Sequence, residues 1–412
     1  MTGHPAQTRT ILTLVTSQTM GALGQGAGVT VGAILAADLS GSEALAGFGG
    51  TAQVLGSAIF AVIIAGIMAE RGRRPGLRTG YLLATLGGLG MIAAAVFGNF
   101  PLLILASLLL GAGTATNSQA RFAATDLSAD ERRGRDLSLV VWATTVGAVA
   151  GPNLTGPGAD IADVLRLPPL AGPFVLAIAG FLLAAAVLQI FLRPDPLLVA
   201  RAQHVDHDEP GRTRGGVRQG LRTIRAHPFA VTGLAVMALG HATMVALMIM
   251  TPLHMRHGHA ELHVIGLTIS LHIAGMYALS PVTGWAVDRL GARAVAVTGS
   301  CILLVAAISA GISPDGSSLP LTAGLVLLGL GWSCTLVSGS TLLTQVIPLR
   351  DRPAAQGVAD LVMGLTAAAG GALAGVVFDR LGYAVLAVAV GLLAALVGVV
   401  ALRHREGPRP AG

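Results

Sequence analysis

Long apolar stretches alternate with short polar segments along the whole chain, and twelve such stretches can be distinguished. Each reaches or approaches the ~20 residues that an α-helix needs to cross the hydrocarbon core of a bilayer. The pattern therefore predicts an all-α membrane protein with twelve transmembrane helices. They lie near residues 11–37, 44–69, 77–98, 101–122, 137–160, 170–192, 228–253, 263–287, 293–313, 320–346, 356–378 and 382–402.

The longest polar segment separates the sixth and seventh predicted helices. It is rich in Arg, Asp, Gly and Pro, which is typical of a flexible linker. We therefore expect an N-terminal six-helix bundle over residues 1–192, a linker over 193–227 and a C-terminal six-helix bundle over 228–412. Within the linker, His204 and His207 could bind a metal, although a solvated linker is the simpler interpretation.

The two predicted bundles repeat the same loop pattern. Gly66-Ile-Met-Ala-Glu70-Arg71-Gly72-Arg73-Arg74 follows the second helix, and Gly284-Trp-Ala-Val-Asp288-Arg289-Leu290-Gly291 follows the eighth. Parallel repeats of six helices are typical of transporters that expose a midplane site to each side in turn.

The distribution of arginine predicts the orientation of the chain. All 26 basic residues are arginine, and only Arg166, Arg256 and Arg380 fall in the loops on the side opposite the termini. Positive loops stay in the cytoplasm, so both termini are predicted to be cytoplasmic.

Composition narrows the function further. Only 11% of residues are charged and the mean hydropathy is +0.74, which agrees with a lipid-embedded chain rather than one that binds nucleic acid. The absence of lysine excludes a Walker A phosphate loop and Schiff-base chemistry. Cys301 and Cys334 form no metal-binding or disulfide pattern, and no cleavable signal peptide is recognised. No catalytic residues and no bound organic cofactor are predicted, so the protein is not expected to be an enzyme.

Histidine and methionine concentrate in residues 237–276, which hold six of the eleven residues of each type. Met244 and Met248 are four residues apart, as are His272 and Met276, and residues at this spacing share one helix face. Thioether and imidazole together suit copper, above all Cu(I). These four residues are the candidate metal ligands, and further candidates are Met237, His241, His254 and His257.

The helix geometry allows one shared site. The depth of each residue can be counted at 1.5 Å per residue from the predicted outer end of its helix. Met244 and His272 both lie roughly 14 Å from that end, near the middle of the hydrocarbon core of the bilayer. Methionine and neutral histidine bind without first losing a thiol proton, which suits reversible transport.

Other polar residues occur within predicted helices, where they normally face the protein interior or a cavity. Asp360 could couple proton movement to transport, or it could pair with a loop arginine. Further cavity candidates are Gln18, Gln25, Asn117, Gln119 and Arg121.

The repeated loops resemble the signature of the major facilitator superfamily, in which an acid and arginines latch the cytoplasmic helix ends. The resemblance implies a gate of Glu70, Arg71, Asp288 and Arg289. The first copy differs, because Glu70 replaces the usual Asp and one residue is missing before Gly72. The segment from Gly147 to Gly156 resembles the glycine-proline motif of proton-coupled drug antiporters, but Ser107 stands about where those proteins carry an intramembrane arginine.

The order and spacing of Met244, Met248, His272 and Met276 resemble the CcoA-type copper importers (CalT family), which supply copper for cytochrome oxidase assembly. The resemblance implies a monomeric secondary transporter that imports copper across the bacterial cytoplasmic (inner) membrane. It would bind copper as substrate, receiving it from a periplasmic donor and passing it to a cytoplasmic chaperone.

Three alternatives remain open. A proton-coupled drug exporter would explain the Gly147–Gly156 segment, and an importer of a small organic cofactor such as riboflavin would use the methionines as an apolar lining. A copper sensor or assembly factor would bind the metal without moving it.

Overall fold

The computed structural model describes residues 5–41, 43–151, 154–203, 216–260, 262–314 and 319–403. Within these ranges the chain is almost entirely helical. The helices are α1 (Gln7–Ser40), α2 (Glu43–Arg71), α3 (Arg73–Phe97), α4 (Phe100–Ala123), α5 (Arg133–Ala150), α6 (Thr155–Leu165), α7 (Gly172–Phe191), α8 (Pro196–Gln203), α9 (Val217–Ala226), α10 (Pro228–His257), α11 (Leu262–Tyr277), α12 (Ser280–Leu290), α13 (Ala292–Gly311), α14 (Leu319–Val346) and α15 (Arg352–Arg403).

These helices confirm the predicted all-α membrane architecture. Nine helical stretches within the described ranges are long and apolar enough to cross a membrane. One of them, Arg352–Arg403, is interrupted at Gly382, whose φ of 83° departs from helical geometry. The fifth predicted span consists of α5 and α6, and the eighth of α11 and α12. The helix pattern is thus compatible with twelve spans.

The loop repeat seen in the sequence has a structural counterpart. Gly72 joins α2 to α3 with φ of 93°, and Gly291 joins α12 to α13 with φ of 92°. Residues with a Cβ rarely adopt this backbone conformation, whereas glycine does so readily. The same turn therefore recurs after corresponding helices of the two halves.

The predicted linker contains two short helices. α9 carries arginines at positions 218, 222 and 225, all exposed, while Ile224 is buried. The segment is therefore partly ordered by apolar contacts, contrary to the expectation of a wholly flexible linker. His204 and His207 lie outside the described residues.

By internal contacts the chain divides into two compact units. The first contains Met1–Ala129, Ala143–Leu221 and Pro348–Gly364; the second contains Asp130–Trp142, Arg222–Ile347 and Leu365–Gly412. α5 and α15 therefore each contribute residues to both units. The domain limits drawn from the sequence stay a prediction.

In the first unit, α1 packs against α7 and α2, and α4 packs against α2 and α3. Small residues bring these backbones close. A Cβ on Gly56 of α2 would lie 1.9 Å from the carbonyl oxygen of Leu108 on α4. A Cβ on Gly147 of α5 would lie 2.2 Å from the carbonyl carbon of Ala22 on α1. Gly147 of the antiporter-like segment thus has a packing role.

In the second unit, α14 is the central helix. It packs against α10, α11, α12 and α13. It is also the most enclosed of the membrane-capable helices, with 72% of its most apolar window buried. α10 and α11 make few contacts with each other, so the two helices that carry the ligand motifs are connected mainly through α14.

Candidate functional site

His272 is fully buried on α11, and its Nδ1 lies 2.8 Å from the carbonyl oxygen of Leu325 on α14. A carbonyl only accepts hydrogen bonds, so a neutral His272 carries its proton on Nδ1 and has a lone pair on Nε2. Nε2 is buried and has no hydrogen-bond partner in the described part of the chain. A histidine whose second nitrogen is fixed by a backbone carbonyl is the usual arrangement of a metal ligand.

The three motif methionines are shielded to different degrees. Met244 is 4% exposed and Met276 is 8% exposed, while Met248 is half-buried. Met237 is also buried, and its sulfur accepts a hydrogen bond from Ser340 Oγ at 3.1 Å. The Met237 thioether therefore already has a polar partner, and a metal ion would have to displace it.

Trp332 on α14 provides a common reference level for α10 and α11. Its Nε1 donates to His241 Nδ1 at 2.8 Å, and its ring meets Tyr277 edge-on with centroids 5.5 Å apart. His272 contacts Leu325, which lies seven residues before Trp332, or about 10 Å along the helix axis. Met248 lies seven residues beyond His241, so it is nearly level with His272.

This register differs from the one estimated from the sequence, which paired Met244 with His272. α10 continues through Pro252 to His257, so its outer end lies four residues beyond the predicted one. Proline is tolerated inside membrane helices. Met248 is thus the thioether nearest in level to His272, and Met244 is nearest to Met276. The four residues as a metal site remain a prediction.

The outer end of α10 forms a separate pocket with the outer end of α13 and the Gly382 region of α15. The His254 ring stacks on Tyr383 with centroids 4.0 Å apart, and the His257 ring stacks on Phe378 at 5.7 Å. Both histidines line a cavity of about 660 Å³ together with Asp379. Within the described ranges, no three His, Cys, Asp or Glu side chains are placed to hold a metal together.

The first unit contains a buried ion pair. Arg121 NH2 on α4 lies 2.6 Å from Asp360 Oδ1 on α15, and both side chains are almost wholly buried. Gln119 Nε2 donates to the other carboxylate oxygen at 2.8 Å. Asp360 is thus held by two donors. One of them is an arginine, and pairing with an arginine was the alternative to proton coupling.

A cluster of uncharged polar side chains lies among α1, α3, α4 and α5 of the same unit. Gln18 Nε2 donates to Thr144 Oγ1 at 3.0 Å, and the Tyr81 hydroxyl donates to Asn117 Oδ1 at 2.8 Å. Gln18 is buried, yet its Oε1 has no hydrogen-bond partner in the part of the chain that the structure describes. The cluster can accept a further donor.

The repeated loops take part in two different sets of contacts. In the second unit, the Asp288 carboxylate accepts the backbone N–H groups of Gly134 and Arg135 at the start of α5, each at 2.8 Å. A carboxylate stabilises a helix N-terminus in this way. The Arg289 guanidinium lies over the Trp285 ring at 5.7 Å.

In the first unit, Glu70 and Arg71 are exposed, and the buried arginine of the loop is Arg73. Its guanidinium makes a two-point pair with Asp126, with Nε 2.7 Å and NH2 3.0 Å from the carboxylate oxygens. It also donates to Gln356 at 2.8 Å. The sequence interpretation included Arg73 in the repeated loop but assigned the gate of this half to Glu70 and Arg71.

The two helical units are apolar, repeat the same loops and contain buried polar side chains, and the helix pattern is compatible with twelve spans. Together these features are those of a multi-pass membrane transporter of the secondary type. The match to the Major Facilitator Superfamily covers residues 14–262 and 241–412. The chain belongs to this superfamily.

Individual relatives agree with this assignment. The chain is 42% identical to the uncharacterised MFS-type transporter YdeG of Bacillus subtilis, over 94% of this chain and 90% of that protein. It is 29% identical to the riboflavin transporter RfnT of Brucella anthropi, over 100% and 99% of the two chains. The proton:xylose symporter XylE has the same fold, with a TM-score of 0.75 at 14% identity over 95% of this chain and 94% of XylE.

Proposed function

We propose that this transporter imports copper across the bacterial cytoplasmic membrane by alternating access, with His272, Met248, Met244 and Met276 as transient ligands. Import would supply copper to cytochrome oxidase assembly, between a periplasmic donor and a cytoplasmic chaperone. In this proposal both termini lie in the cytoplasm, and the gate comprises Glu70, Arg71, Asp288 and Arg289.

The observation that carries the proposal is the state of His272. Its Nδ1 faces the Leu325 carbonyl, and its Nε2 is buried without a hydrogen-bond partner among the described residues. Burying a polar atom without a partner is costly. Binding of a metal ion at Nε2 would satisfy that lone pair and would not disturb the Leu325 contact.

The proposed thioether donors favour a soft cation. Met276 lies on α11, one helical turn from His272, while Met244 and Met248 lie on α10, within about two turns of the level of His272. Sulfur from methionine binds Cu(I) far better than it binds hard cations such as Mg²⁺ or Ca²⁺. In addition, the described residues offer no cluster of carboxylates, thiols and imidazoles for a harder metal.

The experiment is uptake of radioactive copper, supplied as Cu(I), into liposomes that contain the purified protein. We expect His272→Leu and Met248→Leu each to reduce initial uptake by at least about tenfold, which corresponds to about 1.4 kcal/mol of lost ligation. Met255→Leu is the matched control, because Met255 is a buried methionine of the same helix outside both motifs.

Unchanged copper uptake in the His272→Leu and Met248→Leu proteins would contradict the proposal. Equal loss in Met255→Leu would also contradict it, because the effect would then be one of packing. Filters loaded with empty liposomes give the background, and counterflow of unlabelled copper separates transport from binding alone.

A second candidate is import of a small organic solute, and riboflavin is the one to test first. It is supported by RfnT, whose similarity spans the full length of this chain, and by the unpartnered oxygen of Gln18. The isoalloxazine ring carries an imide N–H that such an oxygen could accept. Under this alternative, Gln18→Leu would reduce flavin uptake while His272→Leu would not.

A further inference from the structure

The short helix α9 presents a row of arginines along one side. Arg218, Arg222 and Arg225 are all exposed, and they follow one another at intervals of four and three residues. At about 100° per residue, the three side chains leave the helix within about 60° of one another, and the row is about 10 Å long. Gly220 and Ile224, which are buried, lie on the opposite side. α9 is therefore two-sided, with one side packed and the other strongly positive.

The packed side of α9 is held against the start of α15. A Cβ on Gly220 would lie 2.3 Å from the carbonyl oxygen of Ala354, in the first turn of α15. Gln219 Nε2 also donates to Asp351 Oδ1 at 3.4 Å. Because the two backbones approach so closely at Gly220, α9 has a fixed orientation. The arginine row consequently points away from the start of α15.

The arginine row has no counter-ion in the part of the chain that the structure describes. α9 contains no acidic residue. None of the three guanidinium groups forms an ion pair or a hydrogen bond with a described residue. Like charges three or four residues apart on a helix repel one another. A negatively charged ligand on this side would therefore relieve a repulsion that the protein leaves uncompensated.

The position of α9 in the chain places it beside the bilayer. The membrane-capable helix α10 begins at Pro228, three residues after Arg225. Three residues span at most about 10 Å, and the Debye length at physiological ionic strength is about 8 Å. The long side chain of arginine can extend further toward the membrane surface while its charged end stays in water. Arg225 is thus within electrostatic reach of the lipid headgroups around α10.

From this placement we propose that the arginine face of α9, formed by Arg218, Arg222 and Arg225, binds the headgroups of anionic phospholipids. A guanidinium donates two parallel hydrogen bonds to the oxygens of a phosphate. Basic residues on a helix next to a membrane span are attracted to a negatively charged leaflet. Through the Gly220 contact, the bound lipid ties the start of α15 to the bilayer surface. This interaction does not depend on which substrate is transported.

The test is native mass spectrometry of the full-length purified protein, which counts the lipids that the protein retains. The protein is equilibrated with detergent micelles that contain equal amounts of dioleoyl-phosphatidylglycerol, which is anionic, and dioleoyl-phosphatidylethanolamine, which is neutral overall. Each arginine near an anionic surface strengthens binding about fivefold. We expect the wild-type protein to retain phosphatidylglycerol preferentially. In the triple variant Arg218→Gln, Arg222→Gln, Arg225→Gln this preference should fall by at least about tenfold.

A second triple variant is the matched control, because it removes the same charge from the loops predicted for the side opposite the termini. It combines Arg166→Gln, Arg256→Gln and Arg380→Gln, and all three arginines are exposed. The control should keep the preference for phosphatidylglycerol. Circular dichroism and size-exclusion chromatography establish that both triple variants are folded before their lipids are compared.

Two other occupants of the arginine face are separated by further arms of the experiment. Inorganic phosphate, added at constant ionic strength, should not displace the lipid. Neutralising the acidic linker residues Asp206, Asp208 and Glu209 should not be needed for lipid binding. The proposal is overturned if the wild-type protein retains both lipids equally, or if the two triple variants lose the preference to the same extent. Displacement of the lipid by phosphate, or a preference that appears only after the acidic residues are neutralised, would also overturn it.

Discussion

Replacement of Asp360 by alanine tests the buried ion pair of the first unit. Asp360 accepts one hydrogen bond from Arg121 at 2.6 Å and one from Gln119 at 2.8 Å. In Asp360→Ala both donors lose their partner, and the guanidinium stays buried with only the face of Phe122 beside it, at 4.4 Å.

The expected cost follows from these contacts. A hydrogen bond to a charged group is worth about 1.5–3 kcal/mol, and removal of one partner of a buried ion pair costs about 3–5 kcal/mol. The contact of the guanidinium with the Phe122 ring is already present before the substitution, so it does not offset this loss. We therefore expect the free energy of unfolding to fall by about 3–5 kcal/mol in Asp360→Ala. In the double variant Arg121→Met, Asp360→Leu, most of that loss should be recovered, because no unpaired charge remains.

The measurement is denaturant unfolding of the purified proteins in mixed micelles, followed by circular dichroism and extrapolated to zero denaturant. Arg121→Met alone and Asp360→Leu alone complete the double-mutant cycle and give the coupling energy of the pair. A loss below about 1 kcal/mol in Asp360→Ala, as for an exposed pair, would refute the reasoning. A double variant that is as unstable as Asp360→Ala would also refute it.

Three further predictions follow from individual contacts. Arg73→Lys should destabilise the protein by at least about 2 kcal/mol, because an ammonium cannot reproduce the two-point pair with a carboxylate; thermal unfolding against an exposed Arg71→Lys control measures this. Gly56→Ala should lower the midpoint of thermal unfolding and the folded yield on size-exclusion chromatography, because the new Cβ would overlap the α4 backbone. The control Gly50→Ala should have neither effect, because the space around its Cβ is open. Asp288→Asn should cost about 1 kcal/mol by weakening the cap of α5; faster amide hydrogen exchange in the first turn of α5 would report it.

Local patterns in the sequence were sufficient to predict much of the fold. The apolar stretches predicted the membrane helices, and the repeated loops predicted the equivalent turns at Gly72 and Gly291, because glycine alone suits their backbone conformation. The C-terminal end of α10 was predicted too early, at residue 253, whereas the helix continues to His257. Proline breaks many helices in water, whereas inside a membrane protein the helix continues past it.

The contacts of the candidate site depend on residues far apart in the chain, and single-sequence patterns do not reveal them. His241 and Trp332 are 91 positions apart, and His272 and Leu325 are 53 apart. The sequence singled out the histidines by their rarity in apolar helices. It did not identify their partners, since tryptophan and a backbone carbonyl are ordinary components of a membrane helix. The partners of His241 and His272 are therefore known only from the tertiary structure.

The most direct test of the central claim is X-ray absorption at the copper edge, on purified protein loaded with one equivalent of Cu(I). The account predicts a mixed shell of sulfur and one imidazole nitrogen, with the nitrogen lost in His272→Leu and sulfur lost in Met248→Leu. A shell of nitrogen and oxygen alone, or a spectrum that neither variant changes, would contradict it.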